Sequence, residues 1–394
     1  MQQDPIVIVS IARTPLGNLL GELKDLTAHE LGAAAIKAAI ERAQLKPQDI
    51  TEVIMGCVLP AGQGQAPARQ AALQAGIPVS VSCTTINKMC GSGMKAAMFA
   101  HDALLAAPEQ IFVAGGMESM TNSPYLLMKA RAGYRLGAGE LIDSTMHDGL
   151  EDAYDKGRPM GYFADLTAKE YGFTRPQQDQ FALESFNRAR QAIRDKSFAT
   201  EIVPLTLKTK QGDKIIDTDE RPLSVNTDKM PQLSAAFMKD GTVTAGNSSS
   251  ISDGAAALVL MRQSAAQKRG IKPLAKILAH SSYAKKPSEF TTAPIDATQK
   301  LLQKIGWTVG DVDLFEINEA FAVVAMAAMH DLKIPHEKLN IHGGGCALGH
   351  PIGATGARII VTLVAALQQK NLKRGLAALC IGGGEATAVA IEML

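Results

Sequence analysis

Short β-branched runs alternate along this chain with longer stretches rich in Ala, Leu and Met. Residues 6–9, 52–58, 111–114, 257–261, 276–281, 313–317 and 376–381 read as strands. The spacing of apolar residues predicts helices over 31–43, 93–106, 297–305, 320–330 and 356–369. Strands and helices in alternation mean an α/β layered architecture. The two halves also resemble each other. Ile111-Phe112-Val113-Ala114-Gly115-Gly116 parallels Leu379-Cys380-Ile381-Gly382-Gly383-Gly384, each a late strand ending in glycines. A glycine-rich loop and a helix precede each of them, and helix N-termini converging between two such halves would place a site at the junction.

Residues 121–247 break the pattern, being richer in charged residues, Gly and Tyr. Their one strong helix is expected over 175–195, started by Thr174 and Pro176. This stretch reads as an insertion covering the site. Lys129, Arg131 and Arg135 near its start fit a solvated surface or an oligomer contact.

Composition narrows the function. A chain of 394 residues, 46% hydrophobic and 20% charged, is globular and long enough for two or three domains. Forty basic against 39 acidic residues argue against a nucleic-acid partner. No apolar run is expected to reach the ~18 residues of a membrane span. Met1-Gln2-Gln3-Asp4-Pro5 carries no signal-peptide pattern. Five cysteines form a sparse, odd set that fits a reducing compartment, so the cytoplasm is the expected location.

Candidate chemistry starts at Cys90, in Asn87-Lys88-Met89-Cys90-Gly91-Ser92-Gly93. A thiol at a helix N-terminus faces free N–H groups and the positive end of the dipole, which can lower its pKa from about 8.5 to roughly 3.5–7.5. Taken alone, Cys90 fits an inert buried thiol equally well. His350 lies in the glycine-dense loop 341–356, Cys380 opens Cys380-Ile381-Gly382-Gly383-Gly384, and Asn318-Glu319-Ala320-Phe321-Ala322 starts a helix. Singly, His350 could cap its helix, Cys380 could be core and Asn318 an N-cap.

Together the four segments resemble the thiolase family: NKMCGSGMKAA, NEAFA, GGGCALGHPIGATGAR and CIGGG occur in the family's order and spacing. The likeness runs end to end. It implies a duplicated α/β/α/β/α layered fold, with an N-terminal core half over 1–120 completed by about 248–270. A loop domain over 121–247 would bind coenzyme A, and the C-terminal half would cover 271–394. The implied reaction is reversible acyl transfer between coenzyme A thioesters through an acyl-cysteine. Cys90 would be the nucleophile, His350 its activator, Cys380 the acid/base at the substrate α-carbon. Asn318 would hold a water that forms one oxyanion hole with His350, and the N–H groups of Cys90 and Gly382 the other. Leu150, Met160, Arg221, Ala245, Ser249, Ala320 and Phe321 are the implied coenzyme A contacts.

The resemblance also implies a dimer or tetramer and neither metal nor redox cofactor, coenzyme A being a substrate. The chain departs from the pattern at Pro159, where many acetoacetyl-CoA thiolases have a histidine, and at Ser250 and Glu385-Ala386, where many relatives have glycines. A longer 3-ketoacyl-CoA is therefore an alternative substrate, and a non-catalytic coenzyme A or lipid binder a remoter reading. Two decoys remain. His342-x₃-Cys346-x₃-His350 has metal-ligand spacing only on a helix, which three consecutive glycines oppose. Gly91-Ser92-Gly93-Met94-Lys95-Ala96 fits a dinucleotide pattern, but residues 84–90 are polar and lack a clean strand.

Overall fold

A computed structural model describes residues 4–210 and 212–394. Met1, Gln2 and Gln3, part of the segment read above for a leader, lie outside the described residues. Strands bonded on both edges and buried on both faces need apolar residues at every position, not alternation. Ile6–Arg13, Ile111–Ser119 and Ser252–Arg262 are buried almost throughout and meet that demand along most of their length, the buried polar exceptions being Ser10, Arg13, Glu118, Ser119, Ser252 and Asp253. They belong to one ten-stranded sheet.

The strand order contains the duplication. In the first half Ile6–Arg13 pairs antiparallel with Ser252–Arg262, which pairs antiparallel with Ile111–Ser119. Glu52–Gly56 and then Ser82–Ile86 follow in parallel. In the second half Ala275–Ala284, Glu385–Met393, Arg374–Ile381 and Leu314–Ile317 repeat the antiparallel, antiparallel, parallel succession. The two first strands join antiparallel at the centre, Val7 opposite Lys276 and Ile8 opposite Ala275.

Residues alternate between two cores. Val7 and Val9 face an outer layer with helix Ala28–Arg42, whereas Ile6 and Ile8 face the inner helices Ser92–Ala106 and Ile352–Lys370. The inner pair packs backbone to backbone. A Cβ on Gly93 would stand 2.7 Å from the Ala357 nitrogen, and one on Gly356 2.4 Å from that of Met94. This close crossing brings the loops before both helices, and so Cys90 and His350, to one place.

Three expectations need correction. Ile352–Lys370 is long and apolar enough for a membrane span, with mean hydropathy 1.3 over its window, but 89% of that window is buried as the core helix of the central layer. The polar run before Cys90 does contain a strand, Ser82–Ile86. It is polar because it is the sheet's edge, with Ser82 and Thr84 exposed. Asn318 caps nothing: the helix at 322–332 starts after Phe321, without a side-chain cap.

Between Ser119 and Ser252 the chain leaves the central sheet apart from short connections. It forms two small hairpins and the helices Met160–Tyr171 and Arg175–Arg194. Thr174 and Gln177 close a capping box around the second helix, with Pro176 in its first turn. Lys129, Arg131 and Arg135 are exposed.

Candidate active site

Cys90 sits on a strained turn. Met89 has φ 45°, a left-handed conformation that side chains disfavour. Local bonds hold it: the Met89 N–H donates to Asn87 Oδ1 at 2.9 Å, and the Ser92 hydroxyl donates to the Met89 carbonyl at 2.7 Å. Helix Ser92–Ala106 begins two residues later with Gly91 as N-cap. The backbone N–H groups of Cys90 itself and of Gly382 lie close enough to the Cys90 thiol to favour its thiolate.

The acidity expected from the helix terminus is not what the structure gives. Burial pushes the Cys90 thiol up to about 11, the two N–H groups opposing it and the nearby Glu118 carboxylate adding to it. The half-buried residue lines the cavity, and desolvation of its sulfur outweighs the dipole. Cys90 rests as a neutral thiol and needs a base.

His350 provides one. Its Nδ1 lies 2.6 Å from the Thr355 hydroxyl, whose own proton goes to the Pro351 carbonyl at 2.9 Å. The hydroxyl can then only accept from the ring, so Nδ1 carries the proton and Nε2 presents a lone pair. Nε2 is buried with no hydrogen-bond partner among the described residues. Burial, aided by Arg358, lowers His350 to about 3, so the ring is neutral across the physiological range. Cys380, near the end of strand Arg374–Ile381, is pushed above the ordinary thiol range by burial first and by Cys90 second. Gly383 and Gly384, at φ 92° and 89°, then turn the chain into Glu385–Met393 and leave the Gly382 N–H facing Cys90.

Cys90, His350, Cys380 and Gly382 line one cavity of about 500 Å³. Leu150, Met160, Ala245, Ala320 and Phe321 line it too, as does Ser249, whose hydroxyl and N–H both donate to the Ala320 carbonyl at 2.8 and 3.0 Å. Arg221 reaches the cavity, but its guanidinium is engaged: Nε donates to the Cys346 carbonyl at 2.9 Å and an Nη to that of Ala245 at 3.1 Å. It props the wall more than it offers a free cation. Asn318 does not line the cavity, and both polar atoms of its buried amide lack a hydrogen-bond partner among the described residues.

Sequence reasoning missed Thr355, Phe237 and Glu118. Only Thr355 left a signal, a hydroxyl five residues after His350 on a helix start. The metal decoy dissolves, since Gly345–Leu348 forms a single helical turn and His342 packs edge-on against Phe198 at 5.8 Å. Pro159 and Ser250 line the cavity, whereas Glu385 pairs with Lys88 outside it.

A neutral thiol, an oriented imidazole, a second thiol and converging N–H donors in one apolar cavity define a site for acyl transfer by covalent catalysis. The chain belongs to the thiolase family: models described as "Thiolase, N-terminal domain" and "Thiolase, C-terminal domain" match residues 6–264 and 271–393. It is 49% identical over 390 residues to an acetyl-CoA acetyltransferase of Escherichia coli (strain K12), covering 98% of this chain and 99% of that one. It is 47% identical over 394 residues to that of Schizosaccharomyces pombe, covering all of both chains. Among solved structures it resembles a thiolase from Ascaris suum in complex with coenzyme A, with TM-score 0.93, 41% identity and coverage of 99% and 100%. An acetyl-CoA acetyltransferase from Bacillus anthracis superposes with TM-score 0.96 at 40% identity, covering 99% of each chain.

Proposed function

We infer that the protein is a thiolase in chemistry as well as fold: an acyltransferase that moves acetyl groups between coenzyme A thioesters through an acyl-cysteine. The observation that carries this is that Cys90, His350, Cys380 and Gly382 line one cavity, with His350 Nε2 left without a hydrogen-bond partner among the described residues and the Cys90 and Gly382 N–H groups on the Cys90 side of it. His350 Nε2 takes the thiol proton, and the thiolate attacks the thioester carbonyl. The oxyanion forms where the two N–H groups point, and coenzyme A leaves as its thiol with the proton returned by His350. In synthesis the Cys380 thiol, which rests protonated, first gives its proton to His350 Nε2, and the resulting thiolate removes the α-proton of a second acetyl-CoA. The enolate oxygen is held by the protonated Nε2 of His350 and by a water on Asn318, whose orphan amide atoms suit such a guest. The enolate carbon attacks the acyl group, and the departing Cys90 thiolate takes back a proton from His350 Nε2, restoring the resting thiol and neutral imidazole. Cleavage runs the same steps backward.

Acetoacetyl-CoA is the leading substrate, supported by the names of the relatives; they favour neither the longer-chain reading nor a non-catalytic binder. Each assigned step uses groups of the chain and its substrates, with no metal or redox cofactor. We propose a homo-oligomer, to which the uncovered edge strand Ser82–Ile86 and the exposed Leu127, Leu136 and Leu141 lend support. Five free cysteines support a reducing, cytoplasmic setting.

The test is turnover. Purified protein, coenzyme A and acetoacetyl-CoA should give acetyl-CoA, followed as loss of the ketoacyl chromophore, and Cys90→Ala and Cys380→Ala should each abolish it. Longer 3-ketoacyl-CoAs in parallel give the chain-length profile. Coenzyme A binding without turnover at any length would return the non-catalytic reading.

A further inference from the structure

Glu118 is a fully buried carboxyl that the mechanism leaves unused. It is the next-to-last residue of strand Ile111–Ser119, and among the described residues no lysine or arginine pairs with it. Instead it collects backbone N–H groups from two distant loops. Oε2 accepts from Val58 at 2.9 Å and from Gly353 at 2.8 Å, and Oε1 from Leu59 at 3.1 Å. The Cys57 thiol adds a weaker contact at 3.5 Å.

Both loops bear on the chemistry. Gly353 lies in the first turn of helix Ile352–Lys370, directly after His350 and Pro351. That helix has no side-chain cap of its own, Pro351 being unable to supply one, so Glu118 caps it from across the molecule. A carboxylate there also meets the positive end of the helix dipole. Val58 and Leu59, with Met120 and Ile352, form a small apolar cluster on which Met89, Cys90 and Leu150 pack. One carboxyl thus ties the floor under the nucleophile to the start of the helix that orients its base. The contacts are tight, since a Cβ on Gly353 would meet Oε2 at 2.6 Å.

We propose that Glu118 is a positioning residue of the reaction, holding Cys90 and His350 in register through the N–H groups of Val58, Leu59 and Gly353. This rests on the thiolase reading. A glutamine cannot replace it, because its amide would turn an N–H₂ toward donors. Aspartate keeps the charge but withdraws it by about one methylene, so it cannot span both loops.

The test compares wild type, Glu118→Gln and Glu118→Asp by steady-state kinetics and by the pH dependence of Cys90 alkylation with iodoacetamide. Each variant is expected to lose at least tenfold in kcat while KM for coenzyme A stays within about threefold, because Met160, Arg221, Ala245, Ser249, Ala320 and Phe321, implied coenzyme A contacts, lie on segments that Glu118 does not bond. The alkylation midpoint should move to lower pH in Glu118→Gln, where the neighbouring charge is gone, and stay near wild type in Glu118→Asp. Unchanged kcat with an unchanged midpoint in Glu118→Gln overturns the proposal. If neither variant folds, hydrogen–deuterium exchange on the wild type decides: peptides over 56–60 and 350–356 should be protected like core strands, and rapid exchange there overturns it. Alkylation and exchange need no turnover, so an inactive wild type would sink the thiolase reading separately.

Discussion

His350 Nδ1 and the Thr355 hydroxyl stand 2.6 Å apart, and the hydroxyl's proton is committed to the Pro351 carbonyl. That pairing fixes which ring nitrogen is free to act as base. In Thr355→Val the ring loses its acceptor and can populate the wrong tautomer. General-base transfer contributes about 10²–10⁴-fold in rate, so kcat should fall on the order of 10- to 100-fold with KM for coenzyme A little changed. Steady-state kinetics in the cleavage direction measures it, and a kcat within twofold of wild type would remove Thr355 from the machinery.

Stability should peak in mildly acid solution. Burial lowers His350 to about 3 and His342 to about 4 from the ordinary 6.5. Below 6.5 the unfolded chain takes up protons that the folded chain refuses, so these residues make stability fall as pH drops. Burial raises Glu118 to about 7 and Glu316 to about 8 from 4.5. Above 4.5 the folded chain keeps protons that the unfolded chain sheds, so these make stability fall as pH rises. The two effects oppose each other between 4.5 and 6.5 and act alone on either side. Thermal melts from pH 3.5 to 9 should therefore show a maximum in that window. Glu316→Gln should flatten the alkaline limb, and a melting temperature climbing steadily through pH 8 would contradict the assignment.

What could be read in advance follows from where the information lies along the chain. Strands buried on both faces leave continuous apolar runs, so most of the central sheet was legible, as was the duplication in its glycine-ended strands. Ser82–Ile86 was not, because an edge strand with exposed Ser82 and Thr84 has no such run. Met160–Tyr171 hid in the polar insertion, begun by a proline rather than a capping hydroxyl. Cys90 was singled out by its place at a helix start between glycines, whereas the roles of His350 and Cys380 came only through family motifs. The acidity of Cys90 was misjudged since a helix terminus is local while desolvation comes from the whole fold. Glu118 was invisible for the same reason: its bond to Gly353 joins residues 235 apart in sequence.

Lys88 and Glu385 form an ion pair joining the loop that carries Cys90 to the turn that carries Gly382. Its side chains keep 25% and 38% of their exposure, and such pairs contribute about 1 kcal/mol or less to stability. Lys88→Met and Glu385→Gln should therefore melt within a few degrees of wild type yet lose several-fold in kcat/KM, as the two oxyanion donors drift apart. The double variant should be no worse than either single one. Additive losses in that cycle would mean that the residues act independently.

Gly161 separates the helix start at Met160 from the Phe237 ring: a Cβ there would come within 2.2 Å of two ring carbons. Phe237 lines the cavity and stands edge-on to Phe321, centroids 5.9 Å apart at 89°. In Gly161→Ala the ring has to move, and its edge-on contact with Phe321 restricts where it can go. Overpacking of this kind costs about 1–3 kcal/mol, and the displaced ring narrows the passage to Cys90. KM for coenzyme A thioesters should rise about tenfold, more for longer acyl chains than for acetoacetyl-CoA, while iodoacetamide, small enough to pass, alkylates Cys90 at the wild-type rate. Calorimetric titration with coenzyme A checks the affinity directly. Unaltered binding together with unaltered stability would mean that the ring swings aside freely and does not set the width of the cavity.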